Sequence, residues 1–451
     1  MTISIEHTMK AAGKIWTFKI GGTGCAKRET REPTIINKDP IQIYGFGQDS
    51  IGIMKAENQL ILTLADGHGP KKAGKDISYK LHEYLITYIS GMYGFILDMI
   101  RLKQYDDIKK QIYWMFKHVD NIIMNEDEIT SSYNSGGSTF TMVQKILDEK
   151  NGNMYTLNYN VGDSPYFKID TINRTISELS QSQNCDNIDS IEHYANHCLK
   201  KGVEPSNIIL GRFNTTMGYK VSWIKPGHIY PYKYILEDGV YKVIENVSTM
   251  RQFYESMPSE IKPLIGYDGG PQSIRERPFN LKAISEGKFP STNFGNTIEG
   301  TVQTPNTFGD KRTKETHNLM CVPHIDIDII EEHREPIEFI TSDGAVDCLT
   351  NDEILRLFKY KETAKLSMDE FISFLENSID IQASLGGFKC TPGVEQIPTW
   401  DDLSYWVIDT SVKEDLEYRI KILEQENIEM TQLANSIRRE LDSVNSCLNR
   451  L

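Results

Sequence analysis

The feature that most constrains the fold is a series of short runs rich in β-forming residues within the first 170 residues. Two longer stretches with helical spacing, 74–97 and 107–126, interrupt them. Apolar residues alternate or cluster in each run, as they do in strands, over 15–20, 59–65, 138–147, 154–162 and 166–170. Successive strands of this kind predict an α+β domain rather than alternating β-α-β units.

Charge and composition restrict the partners and the compartment. The net charge of -14 over 451 residues argues against nucleic acid or an anionic membrane as the main partner. The N-terminus lacks the apolar core of a signal peptide, and no run of about 18 apolar residues predicts a transmembrane helix. The seven cysteines are scattered and form no C-x-x-C pair, which is typical of reduced thiols. We therefore expect a soluble, cytoplasmic protein with no nucleic-acid or membrane partner.

The chain divides into a large domain and a tail. Residues from about 205 to 305 are rich in Pro, Gly, Tyr and Asn and have weak periodicity, which predicts a long insertion or flap. Strand and helix patterns resume at 336–358, and 403–409 is the last predicted strand. We expect one domain over 1–410 and a C-terminal coiled coil over 411–451.

The tail from Ser411 to Leu451 contains neither proline nor glycine and is rich in charge. A heptad seam with alternating spacings of four and three residues runs through Leu416, Ile420, Leu423, Asn427, Met430, Ala434, Ile437, Leu441, Val444, Leu448 and Leu451. Asn427 falls at an a position, where a buried amide pair favours parallel dimers. The seam therefore predicts a homodimer, and the alternative is a single helix that folds back on the domain.

The segment Asp66-Gly67-His68-Gly69 follows an apolar strand and has three interpretations. It can be a turn in which the aspartate caps the next helix. It can also belong to a phosphate-binding loop, since 69–76 nearly matches G-x-x-x-x-G-K-[ST], although Asp76 replaces the hydroxyl residue. In the third interpretation the Asp66 carboxylate and a backbone carbonyl bind Mg²⁺ or Mn²⁺, which prefer oxygen ligands.

Four further aspartates stand at the ends of strand patterns, beside small or turn residues. They are Asp49, Asp163, Asp343 and Asp401. Any one of them is more often a turn or cap residue than a ligand. If they converge with Asp66, however, the resulting acidic cage needs cations to be stable, which indicates a dinuclear metal centre.

The order of these blocks resembles that of the PP2C (PPM) family of metal-dependent serine/threonine protein phosphatases. The matching blocks are GQDS (47–50), ADGHG (65–69), GGST (136–139), NVGDS (160–164), TFGD (307–310), TSDGAVD (341–347) and WDDLS (400–404). They span roughly residues 43 to 409. The resemblance implies an αββα four-layer sandwich of two antiparallel sheets flanked by helices, with the metal centre at one edge between the sheets.

The resemblance also implies roles for the acidic residues. Asp66 matches the carboxylate that bridges two metals, and Gly67 matches the residue that contributes its carbonyl oxygen. Asp343 and Asp401 match the remaining carboxylates of one metal. Asp49 matches an acidic residue that holds metal-bound water.

A third, weaker metal is seen in many family members, and Asp163 with Asp343 matches its site. His68 occupies the position of a proposed general acid, although another interpretation gives it only the role of orienting water. The expected catalytic residues are thus His68, Asp49 and Asp66. The implied cofactors are two Mg²⁺ or Mn²⁺ ions, with the third site in addition.

The implied function is hydrolysis of phosphoserine and phosphothreonine in proteins by a hydroxide that bridges the two metals. One departure concerns substrate binding, because Tyr44 stands where many members have a phosphate-binding arginine. Arg28 and Arg31 lie upstream and could take its place. The alternative function is that of a PP2C-like pseudophosphatase, a scaffold that recruits partners through the coiled-coil tail.

Overall fold

A computed structural model describes most of the chain. The described residues are 2–25, 34–69, 71–126, 136–180, 183, 188–202, 213–214, 220–221, 228–229, 232–237, 240–246, 304, 306–330, 336–346, 349, 351–385 and 402–448. The described strands are β1 (Ile3–Ala11), β2 (Lys14–Cys25), β3 (Thr34–Lys38), β4 (Ile41–Phe46), β5 (Asp49–Lys55), β6 (Gln59–Ala65), β7 (Gly67–His68), β8 (Gly137–Ser138), β9 (Phe140–Leu147), β10 (Met154–Val161), β11 (Tyr166–Asp170), β12 (Thr175–Glu178), β13 (Phe213–Asn214), β14 (Lys220–Val221), β15 (His228–Ile229), β16 (Tyr232–Glu237), β17 (Val240–Asn246), β18 (Phe308–Gly309), β19 (His324–Ile330), β20 (Ile337–Thr341) and β21 (Leu403–Glu414). The described helices are α1 (Lys71–Gly91), α2 (Tyr93–Arg101), α3 (Tyr105–Asn125), α4 (Ile188–Lys200), α5 (Lys311–His317), α6 (Asp343–Val346), α7 (Asn351–Thr363), α8 (Met368–Leu385) and α9 (Leu416–Leu448).

Two large antiparallel sheets form the centre of the molecule. Sheet I has the strand order β1-β2-β21-β20-β11-β12, and sheet II has the order β19-β10-β9-β6-β5-β4-β3. Their facing sides make one core, in which Trp16 and Trp406 of sheet I are buried with Leu62 and Val143 of sheet II. The indole Nε1 of Trp406 donates a hydrogen bond of 2.9 Å to the Thr63 carbonyl oxygen. This bond ties the two sheets together within the core.

Helices cover both outer faces of the sandwich. The outer face of sheet II buries Ile77 of α1 and Phe116 of α3, and the outer face of sheet I buries Phe371 of α8 in one cluster with Phe339. Because both faces of the central strands are covered, all seven residues of β6 are buried. The expected αββα sandwich is therefore confirmed, and the aspartates that follow the strands lie at its edges.

A buried ion pair also bridges the two sheets. The Lys145 ammonium on β9 lies 2.7 Å from the Glu338 carboxylate on β20, and both side chains are fully buried. Lys145 also donates to the Thr156 hydroxyl at 2.9 Å, and the Tyr166 hydroxyl donates to Glu338. A charged pair in a core is tolerated when further hydrogen bonds satisfy it. Here the Oε1 atom of Glu338 has these partners, whereas its buried Oε2 atom has none among the described residues.

The predicted insertion contains strands that its weak periodicity did not predict. β13 pairs with β14, and β15, β16 and β17 form a three-stranded antiparallel sheet. The other residues from 205 to 303 lie outside the described part of the chain. That this segment acts as a flap remains a prediction.

The prediction that the tail is helical from Ser411 is wrong for its first residues. β21 continues to Glu414, because 411–414 pair with 14–17 of the long strand β2. The backbone N–H of Asp415 then donates to the Gly13 carbonyl oxygen at 2.7 Å, and the Asp415 carboxylate accepts the N–H of Tyr418 at 3.2 Å. This carboxylate caps α9, so the helix begins at Leu416. Within the described residues, no helix is long and apolar enough to span a membrane.

Candidate active site

Three of the sequence blocks meet in a small antiparallel sheet. β8, from the GGST block, lies between β7, from the DGHG segment, and β18, from the TFGD block. His68 is paired with Gly137, which is also paired with Gly309. Blocks that are about 70 and 170 residues apart along the chain are therefore joined by backbone hydrogen bonds.

This small sheet places a histidine against a carboxylate. The Nε2 atom of His68 lies 2.6 Å from Oδ2 of Asp310, whose side chain is 1% exposed, whereas that of His68 is 28% exposed. The Thr307 hydroxyl donates to the same Asp310 oxygen at 2.7 Å. The imidazole is thus held on one side by a buried carboxylate while part of it reaches solvent.

The backbone around Asp310 is unusual. Asp310 has φ 49° and ψ 39°, in the left-handed region that non-glycine residues rarely adopt. Its N–H donates to the Gly136 carbonyl oxygen at 2.7 Å, which holds this conformation. A Cβ atom at Gly137 would overlap Asp310 Oδ2 and would lie 2.6 Å from His68 Nε2. Only glycine therefore fits there, which explains the second glycine of the GGST block.

Helix α3 supports the loop that carries Asp310. Both carboxylate oxygens of Asp120 lie 2.6 Å from the Lys314 ammonium, and one of them accepts the Gly309 N–H at 2.9 Å. Asp120 and Asp310 are both almost completely buried. The loop is therefore anchored in the outer helical layer as well as in the small sheet.

The paired groups shift each other's protonation. Burial alone would lower the pKa of His68, but the charge of Asp310 and its hydrogen bond raise the pKa above its ordinary value. For Asp310, burial favours the neutral acid, yet His68 and the Thr307 hydroxyl leave its pKa below the usual range. A positively charged imidazole beside a carboxylate is the favoured state of the pair.

The remaining blocks meet at the same end of the sandwich. Ser50 is paired with Ala65, so Asp49 and Asp66 stand at the matching ends of β5 and β6. The Ser404 hydroxyl donates to Oδ2 of Asp49 at 3.0 Å, which links the WDDLS and GQDS blocks across the sheets. The Gln48 N–H donates to Oδ2 of Asp402 at 2.7 Å in the same place.

Two further blocks join this edge. The Ser404 N–H donates to the Ser342 hydroxyl at 3.0 Å, which places the TSDGAVD block, with Asp343 as its next residue, beside the WDDLS block. The Thr139 and Ser164 hydroxyls lie 2.6 Å apart and link the GGST and NVGDS blocks. Asp163 of the NVGDS block is near enough that its charge raises the pKa of His68.

The surroundings of Asp66 and Gly67 are tightly defined. The Asp66 carbonyl oxygen accepts the Thr139 N–H at 2.8 Å and the Ser138 hydroxyl at 2.9 Å. A Cβ atom at Gly67 would lie 2.5 Å from the Gly74 carbonyl oxygen, so the start of α1 packs directly on this backbone. These contacts hold the backbone of Asp66 and Gly67 in one position at the end of β6.

Four of the predicted acidic residues lie at one end of the sandwich, and their metal-binding role remains a prediction. Asp49 is buried, whereas Asp66, Asp163 and Asp343 are half-buried at the same end of the sandwich. Asp401 lies outside the described residues, although its neighbour Asp402 belongs to the edge. Carboxylate oxygens are the ligands that Mg²⁺ and Mn²⁺ prefer, so these residues fit such ions in their chemistry. In the described part of the chain, however, no three His, Cys, Asp or Glu side chains form a group that could hold a metal ion.

Tyr44 does not occupy a substrate-binding position. Its side chain is 8% exposed and belongs to the core between the two sheets. Its hydroxyl donates to Gln42 at 3.1 Å, two residues back along the strand. Burial raises the pKa of this phenol. Arg28 and Arg31, the other candidates for binding phosphate, lie outside the described residues.

Sequence reasoning missed two residues of the site, Asp310 and Asp402. Both lie within quoted blocks, TFGD and WDDLS, but neither was assigned a role. The signal for Asp310 was an aspartate after a glycine in a short strand-like block, which by itself is typical of any turn. Its importance follows from the pairing of β18 with β8, which the sequence does not reveal.

No protein-family model matches the sequence, and no curated protein matches it. Among solved structures, a serine-threonine phosphatase 2C from Toxoplasma gondii is 12% identical with a TM-score of 0.49, over 91% of this chain and 99% of that chain. A bacterial serine phosphatase is 12% identical with a TM-score of 0.42, over 86% of this chain and 96% of that chain. The catalytic domain of the serine threonine protein phosphatase PstP, in complex with two manganese ions, is 12% identical with a TM-score of 0.36, over 88% of this chain and 99% of that chain.

With TM-scores below 0.5, these similarities carry no inference about the activity of the chain. The order of the sequence blocks and the two stacked sheets between helical layers do not depend on them. In the order of its acidic blocks and in this architecture, the chain is similar to the PP2C (PPM) metal-dependent serine/threonine phosphatases.

Proposed function

We propose that the chain is a metal-dependent protein phosphatase that hydrolyses phosphoserine and phosphothreonine monoesters. One observation supports the proposal: Asp49, Asp66, Asp163 and Asp343, which come from four separate sequence blocks, lie at the same end of the sandwich as the His68–Asp310 pair. Concentrated carboxylates repel one another unless cations neutralise them. If each aspartate only formed a turn or capped a helix, the aspartates of different blocks would have no reason to lie at the same end of the sandwich.

Two divalent cations are the implied cofactors. Asp66, Asp343 and Asp401 would hold them with their carboxylates, and Gly67 with its carbonyl oxygen. Asp49, fixed by the Ser404 hydroxyl, would orient water beside them. When bound, such cations lower the pKa of water and screen the charge of the phosphoryl oxygens. Asp163 would hold the weaker third ion with Asp343.

His68 is suited to protonate the leaving oxygen of the substrate. Its Nε2 atom is engaged with Asp310, which leaves Nδ1 as the ring atom that can give a proton to the serine or threonine oxygen. The carboxylate also stabilises the charged ring, so the ring can hold that proton until the ester bond breaks. The partial exposure of His68 agrees with access by a protein substrate.

A second candidate function is supported by Tyr44. A phenol carries no positive charge, and this side chain faces the core, so it does not bind a substrate phosphate as the arginine at this position in many PP2C members does. A scaffold that binds partners through its tail would not need such a cation. Under this function the acidic edge would bind metal without turning over a phosphoester.

The test is metal-dependent hydrolysis by the purified full chain. We expect it to hydrolyse a phosphothreonine peptide and p-nitrophenyl phosphate with Mn²⁺ or Mg²⁺, and EDTA to abolish the reaction. Asp66→Asn and Asp343→Asn preserve side-chain size but remove a charge, and each should reduce kcat/KM by at least about a hundredfold.

The matched control is Asp107→Asn, an exposed position on α3, which should retain wild-type activity. Circular dichroism of each variant checks the fold. Metal binding without hydrolysis, measured by calorimetry, would support the scaffold instead. Hydrolysis that survives EDTA, or an active Asp66→Asn variant, would overturn the assignment of the metal centre.

A further inference from the structure

The C-terminal helix presents a long apolar seam that the rest of the described chain leaves uncovered. α9 has 33 residues, about 50 Å at 1.5 Å per residue. Large apolar side chains at seam positions are between 50% and 66% exposed: Leu416, Ile420, Leu423, Met430, Ile437 and Leu441. A contiguous apolar surface of this kind marks an interaction site.

The first two turns of α9 contact the sandwich with a face other than the apolar seam. Tyr418 and Ile422 line a cavity of about 320 Å³ together with Ala12 and Gly13 of the β1–β2 turn and Val412 of β21. The Tyr418 ring lies so close to Gly13 that a Cβ atom there would be 2.9 Å from it. These two side chains occupy f and c positions of the heptad, so the a and d seam is directed elsewhere. The helix therefore does not fold back on the domain with its seam.

We propose that the occupant of this seam is a second copy of the chain, in a parallel coiled coil. The a positions are Ile420, Asn427, Ala434, Leu441 and Leu448, and the d positions are Leu416, Leu423, Met430, Ile437, Val444 and Leu451. A seam with strict spacings of three and four residues fits a supercoiled partner helix rather than a globular surface, which favours a wider stripe.

Asn427 determines the orientation. In a parallel dimer in register, each a residue faces its own copy, so the two amides hydrogen-bond with each other. In an antiparallel pair, an a residue faces a d residue, and the full overlap of the two helices places Asn427 opposite Ile437. A buried amide without a partner costs free energy. The asparagine therefore favours the parallel arrangement.

The flanking charges agree with this arrangement. In a parallel dimer, a g residue reaches the following e residue of the other helix. Arg419 at g would face Glu424 of the partner subunit, an attractive pair. The other three such pairs join Glu426 to Thr431, Leu433 to Arg438 and Glu440 to Asn445, and none of them joins like charges. A second copy is thus compatible with the seam in both shape and charge.

Two isoleucines make a matched test of the interface. Ile437 is a d residue and Ile428 is a b residue, and they are 50% and 52% exposed in the single chain. Ile437→Lys would place two ammonium groups in the apolar seam, whereas Ile428→Lys would place them in solvent. Both substitutions change helix propensity and net charge equally. Light scattering and sedimentation of the full chain measure the outcome.

We expect the wild type and Ile428→Lys to be dimers at micromolar concentration. Ile437→Lys should weaken the dimer roughly a hundredfold or more, since it changes both halves of one interface. A monomeric wild type would overturn the proposal. Equal effects of the two substitutions would do the same, because they would show that the seam is not the interface.

A cysteine tests the orientation. After mild oxidation of Leu416→Cys, peptide mapping by mass spectrometry should identify a disulfide between the two copies of residue 416, which are adjacent in a parallel dimer. In an antiparallel dimer residue 416 lies beside Cys447 of the partner subunit, about 50 Å from its own copy. A disulfide between 416 and 447 would therefore overturn the parallel arrangement.

Discussion

Asp310 holds the Nε2 atom of His68 at 2.6 Å, although the two residues are 242 positions apart in the chain. The ring is consequently fixed in orientation by a residue whose own backbone is in the left-handed region. Non-glycine residues are held in such conformations only by strong local contacts, and they are frequent at functional sites. Asp310 is thus a positioning residue for His68.

The first prediction concerns this pair. Asp310→Asn keeps the size of the side chain and tolerates the left-handed backbone, but it removes the charge that orients and stabilises the imidazolium. We expect kcat to fall about 10- to 100-fold with KM little changed. Steady-state kinetics on a phosphothreonine peptide measures both constants. Asp98→Asn, an exposed carboxylate on α2, is the control, and a selective rise in KM would argue against the positioning role.

The second prediction concerns the glycine that faces the pair. A Cβ atom at Gly137 would overlap Asp310 and crowd His68, so Gly137→Ala should lower activity at least about tenfold and cost about 1–3 kcal/mol of stability. Gly94→Ala is the matched control, because a Cβ atom there meets nothing within 4 Å. That change in helix α2 should raise stability by up to about 1 kcal/mol. Kinetics and urea unfolding test both, and unimpaired catalysis by Gly137→Ala would refute the geometry.

The third prediction concerns the buried ion pair between the sheets. Lys145→Met leaves the Glu338 carboxylate without its cation in the core, which should cost about 3–5 kcal/mol. Lys145→Met combined with Glu338→Leu removes both charges and should be less destabilising than the single change. Urea unfolding of these two variants and of Glu338→Leu alone gives the comparison. If the losses of unfolding free energy in the two single variants add up to the loss in the double variant, the two charges do not stabilise each other.

The fourth prediction concerns stability in acid. The two ring nitrogens of His82 lie 2.8 Å from the Ser50 hydroxyl and 2.7 Å from the Thr63 hydroxyl. Burial lowers the pKa of His82 to about 3, so the unfolded chain binds this proton more readily than the folded protein. The stabilisation is complete above pH 6.5 and is lost as the pH falls towards 3.

Between pH 7 and pH 5, this histidine should therefore reduce the free energy of unfolding by roughly 2 kcal/mol, at about 1.4 kcal/mol per unit below pH 6.5. Urea unfolding at both values measures the change. His82→Gln keeps a hydrogen-bonding side chain but does not titrate, and its stability should depend less on pH by about that amount. The same pH dependence in both proteins would contradict the prediction.

The fold could be predicted to a large extent because strand periodicity is local. The patterns around β6, β9 and β10 predict strands, and the Asn151-Gly152 dipeptide lies in the loop that joins the last two. Aspartates at strand ends are also visible in the sequence. Which strand ends lie together depends on the register of β5 on β6 and of β20 on β21. Only the resemblance to a known family indicated that these ends, with their aspartates, would meet.

Other features depend on contacts that no local pattern contains. Asp310 belongs to the site because β8 lies between two short strands that are far apart in the chain. Both faces of β4 carry apolar residues, Ile41 and Ile43 on one and Tyr44 and Phe46 on the other. Tyr44 lies in the core between the sheets because its face of β4 packs on sheet I. The start of the tail helix was misplaced because 411–414 suit either a strand or a helix, and pairing with β2 decides between them.

Strand β21 connects the acidic edge of the sandwich to the start of the tail helix. It begins next to Asp402 at the acidic edge and ends at Glu414, one residue before the cap of the tail helix, so its 12 residues span about 40 Å at roughly 3.3 Å each. The Debye length at physiological ionic strength is about 8 Å. Through solvent, a charge added at the start of the tail helix should therefore be largely screened before it reaches the acidic edge, so that a modification or a charged partner there should have little electrostatic effect on the carboxylates.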